Sequence, residues 1–130
     1  MGSPSPRPVV LDAGALIAFD RADRLMLRLV ELAVENDRVL HVPAGVVAQV
    51  WRDGGRQVRL ARLIGSSTLE VTPLDLAEAQ ATGALCGLTG TSDIVDSGVA
   101  LLARRLGATV VTSDPQDIHR LDATLPVARC

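Results

Sequence analysis

The chain has 130 residues, enough for one domain with a core of its own, and a formal net charge of −2. All 13 basic residues are Arg, and the slight acidic excess excludes a protein that coats nucleic acid by bulk positive charge. It does not exclude a local arginine patch, nor acids whose charge a metal ion cancels. Two cysteines, Cys86 and Cys130, are too few and too unpatterned for a disulfide framework or a zinc site.

The start of the chain differs in composition from the rest. Residues 1–7 are polar and rich in proline, which predicts a flexible tail and no secretory signal. Residues 8–130 are expected to form a single domain, because no repeat, low-complexity tract or linker interrupts them. No apolar run approaches the roughly 18 residues that a membrane span requires. We therefore expect a cytoplasmic protein with no membrane partner.

Short apolar runs alternate with helical patterns from residue 8 onward. Strands are predicted at residues 8–11, 39–42, 69–71, 109–111 and about 125–127. Helices are predicted at 13–19, 24–35, 44–52, 56–64, 74–86, 93–106 and 115–122. This alternation is typical of a parallel sheet covered on both faces. We predict an α/β fold, a three-layer α/β/α sandwich around a short, mainly parallel sheet of four or five strands.

Acidic residues follow two of the predicted strands. Asp12 comes directly after the first, and Asp114 follows the one at 109–111. The carboxyl ends of parallel strands meet at one edge of a sheet, so both carboxylates should project from that edge, where open α/β sheets bind ligands. Asp93 and Asp96 lie at the start of the helix that leads into the Asp114 strand, and this connection brings them to the same edge.

Two explanations of these acids remain open at this point. Asp12 and Asp114 stand where a helix N-cap belongs, and Asp93 with Asp96 suits a capping box. Three or four carboxylates in one pocket, however, repel strongly and must take up protons or bind a cation. A hard divalent ion with oxygen ligands, Mg²⁺ or Mn²⁺, is the natural partner. Such an ion activates bound water and stabilises charge on a phosphodiester.

Three segments in register resemble a PIN domain, and more narrowly a VapC-type toxin of a bacterial toxin–antitoxin pair. They are VLDAGALIA at 10–18, DSGVALLA at 96–103 and VTSD at 111–114. The resemblance spans nearly the whole chain, with the motifs in the right order. It implies a Mg²⁺-dependent endoribonuclease, with Mn²⁺ able to substitute, that cuts structured RNA such as tRNA or ribosomal RNA. It also implies a homodimer and a cognate antitoxin protein that occupies the active-site groove.

The resemblance assigns roles to individual residues of this chain. Asp12, Asp96 and Asp114 match the catalytic, metal-binding acids of the family. Asp93 and Asp117 are accessory acids near the same edge. Thr112 matches the hydroxyl residue that orients a neighbouring acid or a metal-bound water.

One position departs from the family pattern. The second family acid is normally a Glu on the helix after the second strand, and Gln49 stands there in this chain. A neutral amide accepts hydrogen bonds through its carbonyl oxygen, but it contributes no charge and cannot serve as a base. Two hypotheses follow. In one, Asp93 or Asp117 supplies the missing carboxylate of a nuclease; in the other, the chain is a weak or inactive PIN-fold module that binds RNA or an antitoxin.

Arginines around residues 52–62 are candidate RNA contacts. Arg56, Arg59 and Arg62 recur every three residues and are expected to share one face of the predicted helix at 56–64. Guanidinium groups suit bidentate contacts with phosphate, so Arg52, Arg56 and Arg59 are assigned to RNA binding. A solvated helix face explains the same pattern equally well.

Two other folds that place an Asp after their first strand do not fit. A haloacid-dehalogenase-type phosphatase needs a second Asp two residues after the first, and a Lys downstream. In this chain the corresponding residue is Gly14, and there is no Lys. A response-regulator receiver domain fails on the same missing Lys.

Overall fold

Five short strands and seven helices alternate along residues 7–130, the part of the chain that the computed structural model describes. The strands are β1 (Val9–Leu11), β2 (Leu40–Pro43), β3 (Leu69–Thr72), β4 (Thr109–Thr112) and β5 (Val127–Arg129). The helices are α1 (Ala13–Asp20), α2 (Arg24–Glu35), α3 (Ala44–Val50), α4 (Val58–Ile64), α5 (Leu76–Thr89), α6 (Ile94–Leu106) and α7 (Pro115–Leu121). The tail predicted at residues 1–7 lies outside the described residues except for Arg7.

The five strands form one parallel sheet in the order β3-β2-β1-β4-β5. The chain builds outward from β1 through β2 to β3, and then returns to β4 on the other side of β1. Strand succession therefore reverses between β1 and β4, which makes this the topological switch point of the sheet, where open α/β folds form their ligand crevice. Leu11 pairs with Val111, so the residues that follow the two strands emerge side by side.

Helices cover the sheet on both faces. α1 packs with α2 and α4, whereas α6 packs with α5 and α7, and both α1 and α6 lie against the central strands β1 and β4. Val10, Leu11 and Val110 on those strands are fully buried, as expected for parallel strands covered on both sides. The predicted three-layer α/β/α sandwich is confirmed, with an entirely parallel sheet. No helix within residues 7–130 is long and apolar enough to cross a membrane.

The loop between α3 and α4 is longer than predicted. α3 ends at Val50, because Trp51 takes up an extended backbone conformation, and α4 begins only at Val58. The side chain of Gln57 accounts for the difference. Its amide oxygen accepts hydrogen bonds from the backbone N–H groups of residues 52 and 53, at 2.7 and 3.0 Å, and this holds the intervening residues in a turn.

This turn corrects the predicted arginine face. Arg56 lies before α4 begins, so only Arg59 and Arg62 share the helix. The expectation that all three residues lie on one helical face is therefore wrong.

Two later elements are also displaced from their predicted bounds. α5 covers residues 76–89 rather than 74–86: the Asp75 carboxylate caps its start by accepting from the N–H of Glu78 at 2.9 Å. Its end is at Gly90, whose φ of +74° suits a glycine, so residues 87–89, predicted as loop, are helical. β5 covers residues 127–129 rather than 125–127, in register with Val110 opposite Val127.

Gly14 lets the loop after β4 approach the first turn of α1. A Cβ atom at this position would overlap the Ser113 Oγ and would lie 3.0 Å from the Ser113 Cβ. Protein interiors are packed too closely to absorb such an overlap without displacement. The absence of a side chain at Gly14 therefore helps to hold the chain after β1 close to the chain after β4.

We expect Gly14→Ala to lower the free energy of unfolding by about 1–3 kcal/mol through this overlap, as measured by urea denaturation. Adding Ser113→Gly should recover most of the loss, because it removes the atoms that collide. Gly87→Ala is the matched control: nothing lies within 4 Å of a Cβ there, and alanine favours the helix. A double variant as unstable as Gly14→Ala alone would contradict this account.

Candidate active site at the carboxyl edge of the sheet

Asp12 directly follows β1 and is almost completely buried, with 6% of its surface exposed. Its carboxylate caps α1 by accepting a hydrogen bond from the N–H of Ala15 at 2.9 Å. Burial raises the pKa of Asp12, because it disfavours the charged form, while hydrogen bonds from the Thr112 hydroxyl and from backbone amides oppose this shift. Capping of α1 therefore accounts for one hydrogen bond of the Asp12 carboxylate. It does not explain why this carboxylate is buried at the switch point of the sheet.

Thr112, the last residue of β4, links the two central strands at this edge. It is fully buried, and its hydroxyl lies within hydrogen-bonding range of Asp12. The same hydroxyl oxygen accepts from the N–H of Asp114 at 2.9 Å. The hydroxyl thus fixes the start of the Asp114 turn while it orients the Asp12 carboxylate. The Coulombic repulsion between Asp12 and Asp114 further raises the pKa of Asp12.

Asp93 and Asp96 come to this edge on the first turn of α6. Asp93 caps the helix by accepting from the N–H groups of Val95 and Asp96, at 3.1 and 3.0 Å. The pKa of Asp96 is raised to about 7, first by burial and then by the neighbouring Asp93, with further contributions from the charges of Asp12 and Asp117. The charges of Asp93 and Asp12 are thus close enough to Asp96 to favour its protonated form.

Asp117 lies at the rim of the cluster and has a competing partner. Its backbone N–H donates a hydrogen bond to the Asp114 carboxylate at 3.4 Å. Its own carboxylate forms a salt bridge with Arg120 at 3.0 Å. A hydrogen bond shared with Asp114 is the main cause that raises the pKa of Asp117. Arg120 offsets part of the negative charge that Asp117 would bring to the site.

The donor chemistry of the site suits a hard divalent cation. Asp12, Asp96 and Asp114 supply carboxylate oxygens, the ligands that Mg²⁺ and Mn²⁺ prefer, and none of the three forms a salt bridge within residues 7–130. In that same part of the chain, no three Asp, Glu, His or Cys side chains lie, as placed, close enough to hold one ion between them. Binding would require the carboxylates to turn toward a common point.

Gln49, the residue that stands where the family has its second acid, is exposed. It lies exposed on α3, the short helix that starts at the same edge of the sheet and packs between α1 and α6. Val46 and Val50 on either side of it are buried. The structure thus places Gln49 in the last turn of α3, a helix that contacts both α1 and α6, with a neutral amide and no charge.

The candidate RNA-binding arginines lie away from the acids. Arg59 donates to the backbone carbonyl of Asp20, at the far end of α1, at 3.3 Å, and α1 is eight residues, or roughly 12 Å, long. Arg56 lies 3.7 Å from the Asp53 carboxylate. Arg52 folds back onto the end of α3 and donates to the carbonyl of Trp51 at 2.7 Å.

Sequence reasoning did not identify the contact that holds the first turn of α6. Ser97, the residue after Asp96, is fully buried, and its Oγ lies 3.2 Å from the Cys86 Sγ on α5. This contact anchors the Asp96 turn against α5. The sequence carries no periodic signal for it, since the two residues belong to different helices and their pairing depends on how the helices cross.

Comparisons with known proteins place this fold among solved structures. No family model and no curated protein matches the sequence. One similar structure is that of VapBC2 from Rickettsia felis bound to a DNA fragment from the promoter of its own genes. The likeness has 18% identity and a TM-score of 0.68, and it covers 94% of this chain and 98% of that chain. FitAcB from Neisseria gonorrhoeae has 17% identity and a TM-score of 0.59, over 92% and 95% of the two chains.

A third structure with the same fold is PAE2754 from Pyrobaculum aerophilum, with 14% identity and a TM-score of 0.64 over 93% of this chain and 90% of that chain. At such identities the likeness establishes the fold alone, since one fold hosts many functions. Each match covers nearly the full length of both chains, so the whole described architecture, and not one part of it, is shared.

The raised pKa of Asp96 predicts how the metal-free protein responds to pH. The folded-state pKa of about 7 lies above the ordinary 3.8, so the folded protein binds the proton more tightly than the unfolded chain. The contribution of Asp96 to the free energy of unfolding is therefore fully present below about pH 4 and is lost as the pH rises through about 7. In EDTA, we expect the free energy of unfolding to fall across this range.

Urea denaturation at a series of pH values measures this dependence, with Asp96→Asn as the comparison. The variant keeps the shape of the side chain but cannot ionise, so its stability should depend less steeply on pH between about 4 and 7. Parallel curves for the two proteins would show that Asp96 does not titrate in this range.

Proposed function

We propose that this chain, which has the fold of PIN domains, is a divalent-metal-dependent endoribonuclease that acts as the toxin of a toxin–antitoxin pair. The single observation that carries the proposal is that Asp12, at the switch point of the sheet, is close enough to both Asp114 and Asp96 for their charges to interact. Burial, and then the like charges around it, raise the pKa of Asp96 to about 7. Functional sites are where such clusters of mutually repelling groups concentrate.

Asp12, Asp96 and Asp114 would hold Mg²⁺, with Mn²⁺ as a substitute. When bound, such an ion supplies positive charge that activates water as a nucleophile and stabilises charge on the phosphate. The remaining residues act by positioning. Thr112 orients the Asp12 carboxylate and the Asp114 turn, and Asp93 holds the start of α6 that presents Asp96.

The arginines suit contacts with RNA away from the cleaved bond. Arg56 and Arg59 line, with Arg62, a cavity of about 500 Å³ at the far end of α1. An RNA strand that crosses the carboxyl edge and continues along α1 would bring its phosphates to them. Phosphate contacts of this kind provide affinity without sequence information. Arg52, at the end of α3, is the candidate contact nearer to Gln49.

The toxin role is supported by the resemblance of the sequence motifs and by the fold shared with VapBC2 and FitAcB. On the same basis we propose a homodimer, a cognate antitoxin protein as partner, and RNA in the cytoplasm as substrate, with tRNA and ribosomal RNA as the first candidates. Exposed apolar side chains such as Leu76 and Leu88, 74% and 86% exposed, are compatible with protein partners.

We expect Asp12→Asn and Asp96→Asn each to abolish metal-dependent cleavage of total tRNA and ribosomal RNA, because an amide removes the charge that a divalent ion needs. Asparagine is as good an N-cap as aspartate, so Asp12→Asn should keep the fold. The metal-free stability of both variants should be equal to or greater than that of the original chain, since a repelling buried charge is gone.

The assay compares Mg²⁺, Mn²⁺ and EDTA, with RNA fragments resolved on a denaturing gel. Asp23→Asn is the matched control: Asp23 also caps a helix, by accepting from Met26 N–H at 3.1 Å, but it lies at the start of α2. Cleavage should survive in this variant. Cleavage by Asp96→Asn protein at the original rate would refute the assignment of the site.

A non-cleaving binding module is the alternative, and Gln49 is the observation that favours it. If the site is a nuclease weakened by the missing acid, Gln49→Glu should add a carboxylate ligand, lower the Mg²⁺ concentration needed for half-maximal cleavage and raise the rate. Titration of Mg²⁺ in the cleavage assay measures both. An Asp12→Asn/Gln49→Glu protein should remain inactive, and a folded Gln49→Glu protein with no cleavage under any metal would favour the binding module.

A further inference from the structure

The end of β5 brings an arginine to the carboxyl edge of the sheet. Arg129, the last residue of β5, pairs in register with Thr112 of β4. On the other side of β4, Leu11 pairs with Val111, so Asp12 also stands opposite Thr112. Neighbouring strands lie about 4.8 Å apart. Arg129 and Asp12 therefore flank the same residue, and the arginine is two strands away from the buried carboxylate of the site.

Backbone hydrogen bonds continue this pairing beyond the ends of the strands. The N–H of Asp12 donates to the carbonyl of Val111 at 3.2 Å. The N–H of Cys130 donates to the carbonyl of Thr112 at 3.0 Å. Burial, and then the charge of Asp12, raise the pKa of the Cys130 thiol, so the residue after Arg129 lies within electrostatic range of Asp12. The sheet itself thus sets the position of Arg129 beside the site.

The side chain of Arg129 leaves the sheet on the same face as that of Thr112, because paired residues of neighbouring strands share a face and successive residues alternate. The Thr112 hydroxyl hydrogen-bonds Asp12, so this is also the face on which the acid is held. Thr112 is fully buried, whereas Arg129 is exposed. The guanidinium group is therefore accessible to a ligand that lies on the acids.

Arg129 forms no salt bridge with any carboxylate in residues 7–130. The arginines of α6 and α7, the helices on this side of the sheet, each have an acidic partner: Arg104 pairs with Asp122, Arg105 with Glu78 and Arg120 with Asp117. Each of these would have to give up its carboxylate before it could bind another anion. The positive charge of Arg129 remains available.

We propose that Arg129 binds a backbone phosphate of the RNA substrate, next to the phosphate that the acids and their metal ion hold. The inference rests on the proposed nuclease function and deepens it by naming a substrate contact on the β5 side of the site. A guanidinium group presents its N–H groups as a fork that matches two phosphate oxygens. RNA bound at the acids brings such oxygens within reach of this edge.

The contact also defines a path for the RNA strand. Arg56 and Arg59 line their cavity together with Thr68, which directly precedes β3. β3 and β5 are the two outer strands of the sheet, with the acids between them. A strand held by Arg129 at one end and by the arginines of the cavity at the other would cross the acids on the way.

Three variants test the contact. Arg129→Gln removes the charge, and Arg129→Lys keeps the charge but loses the fork. Arg7→Gln is the matched control, because Arg7 is also exposed but precedes β1 and so lies at the amino edge of the sheet. All three are made in Asp12→Asn protein, which is expected not to cut RNA, so that binding is measured by itself.

The first measurement is the affinity for a labelled single-stranded RNA, read by fluorescence anisotropy at a series of salt concentrations. Arg129→Gln should raise Kd by about three- to tenfold, the effect of one exposed charge-assisted contact. It should also reduce the slope of log affinity against log salt by about 0.7, as expected when one phosphate contact is lost. Arg129→Lys should keep the slope, and Arg7→Gln should match the parent protein. Equal losses in Arg129→Gln and Arg7→Gln, or no loss in either, would overturn the proposal.

The second measurement locates the phosphate. In an RNA just long enough to bind, one phosphate at a time is replaced by an uncharged methylphosphonate. At one position the replacement should weaken binding to the parent protein but not weaken binding to Arg129→Gln any further, because the two changes remove the same contact. Additive losses at every position would contradict a direct contact.

Cleavage by proteins that keep Asp12 separates the failure of this contact from the failure of the nuclease proposal. If Arg129→Gln weakens RNA binding but the original chain cuts no RNA under any metal, only the nuclease proposal fails. If the original chain cuts RNA and Arg129→Gln cuts it with the same KM, only the contact proposal fails. A chain that binds no RNA would overturn both.

A purely structural role for Arg129 gives a different result. An arginine that serves to neutralise the acids would stabilise the metal-free fold. If Arg129→Gln lowers the free energy of unfolding in EDTA and leaves the affinity for RNA unchanged, the phosphate contact is wrong.

Discussion

Mutual repulsion among carboxylates at one edge of the sheet is the constraint on which the rest of this structure depends. Asp12 and Asp114 leave adjacent central strands, and Asp93 and Asp96 reach the same place on α6. Backbone N–H groups at three helix starts donate hydrogen bonds to these carboxylates as N-caps, and helix N-termini favour negative charge in any case. Capping and a metal site are therefore not alternatives, because one carboxylate oxygen can cap while the other remains available.

The buried and mutually repelling charges of Asp12 and Asp96 lower the stability of the fold. Burial raises the pKa of Asp12, and burial with like charges raises that of Asp96 to about 7. A fold selected for stability alone would place apolar or hydrogen-bonded neutral residues at these positions. Ionisable groups whose pKa values are shifted in this way concentrate at functional sites.

The surroundings of the acids are organised by close packing and by side-chain hydrogen bonds between neighbouring elements. Gly14 admits Ser113 beside α1, the Thr112 hydroxyl accepts from the N–H of Asp114 in the turn after β4, and Ser97 with Cys86 fixes the start of α6 against α5. An apolar cavity lined by Leu74, Ile94 and Leu102 lies behind that same start of α6. The arginines at the far end of α1 are separate from both.

Local patterns in the sequence determined the alternation of strands and helices, the N-cap positions and the expectation that Asp12 and Asp114 share one edge. These follow from hydrophobic periodicity and from the parallel arrangement, which are properties of short segments. Only the tertiary structure decided the adjacency of β1 and β4, the turn held by Gln57 and the separation of Arg59 from the acids. Each depends on which elements become neighbours, and neighbours distant in the chain leave no periodic trace in one sequence.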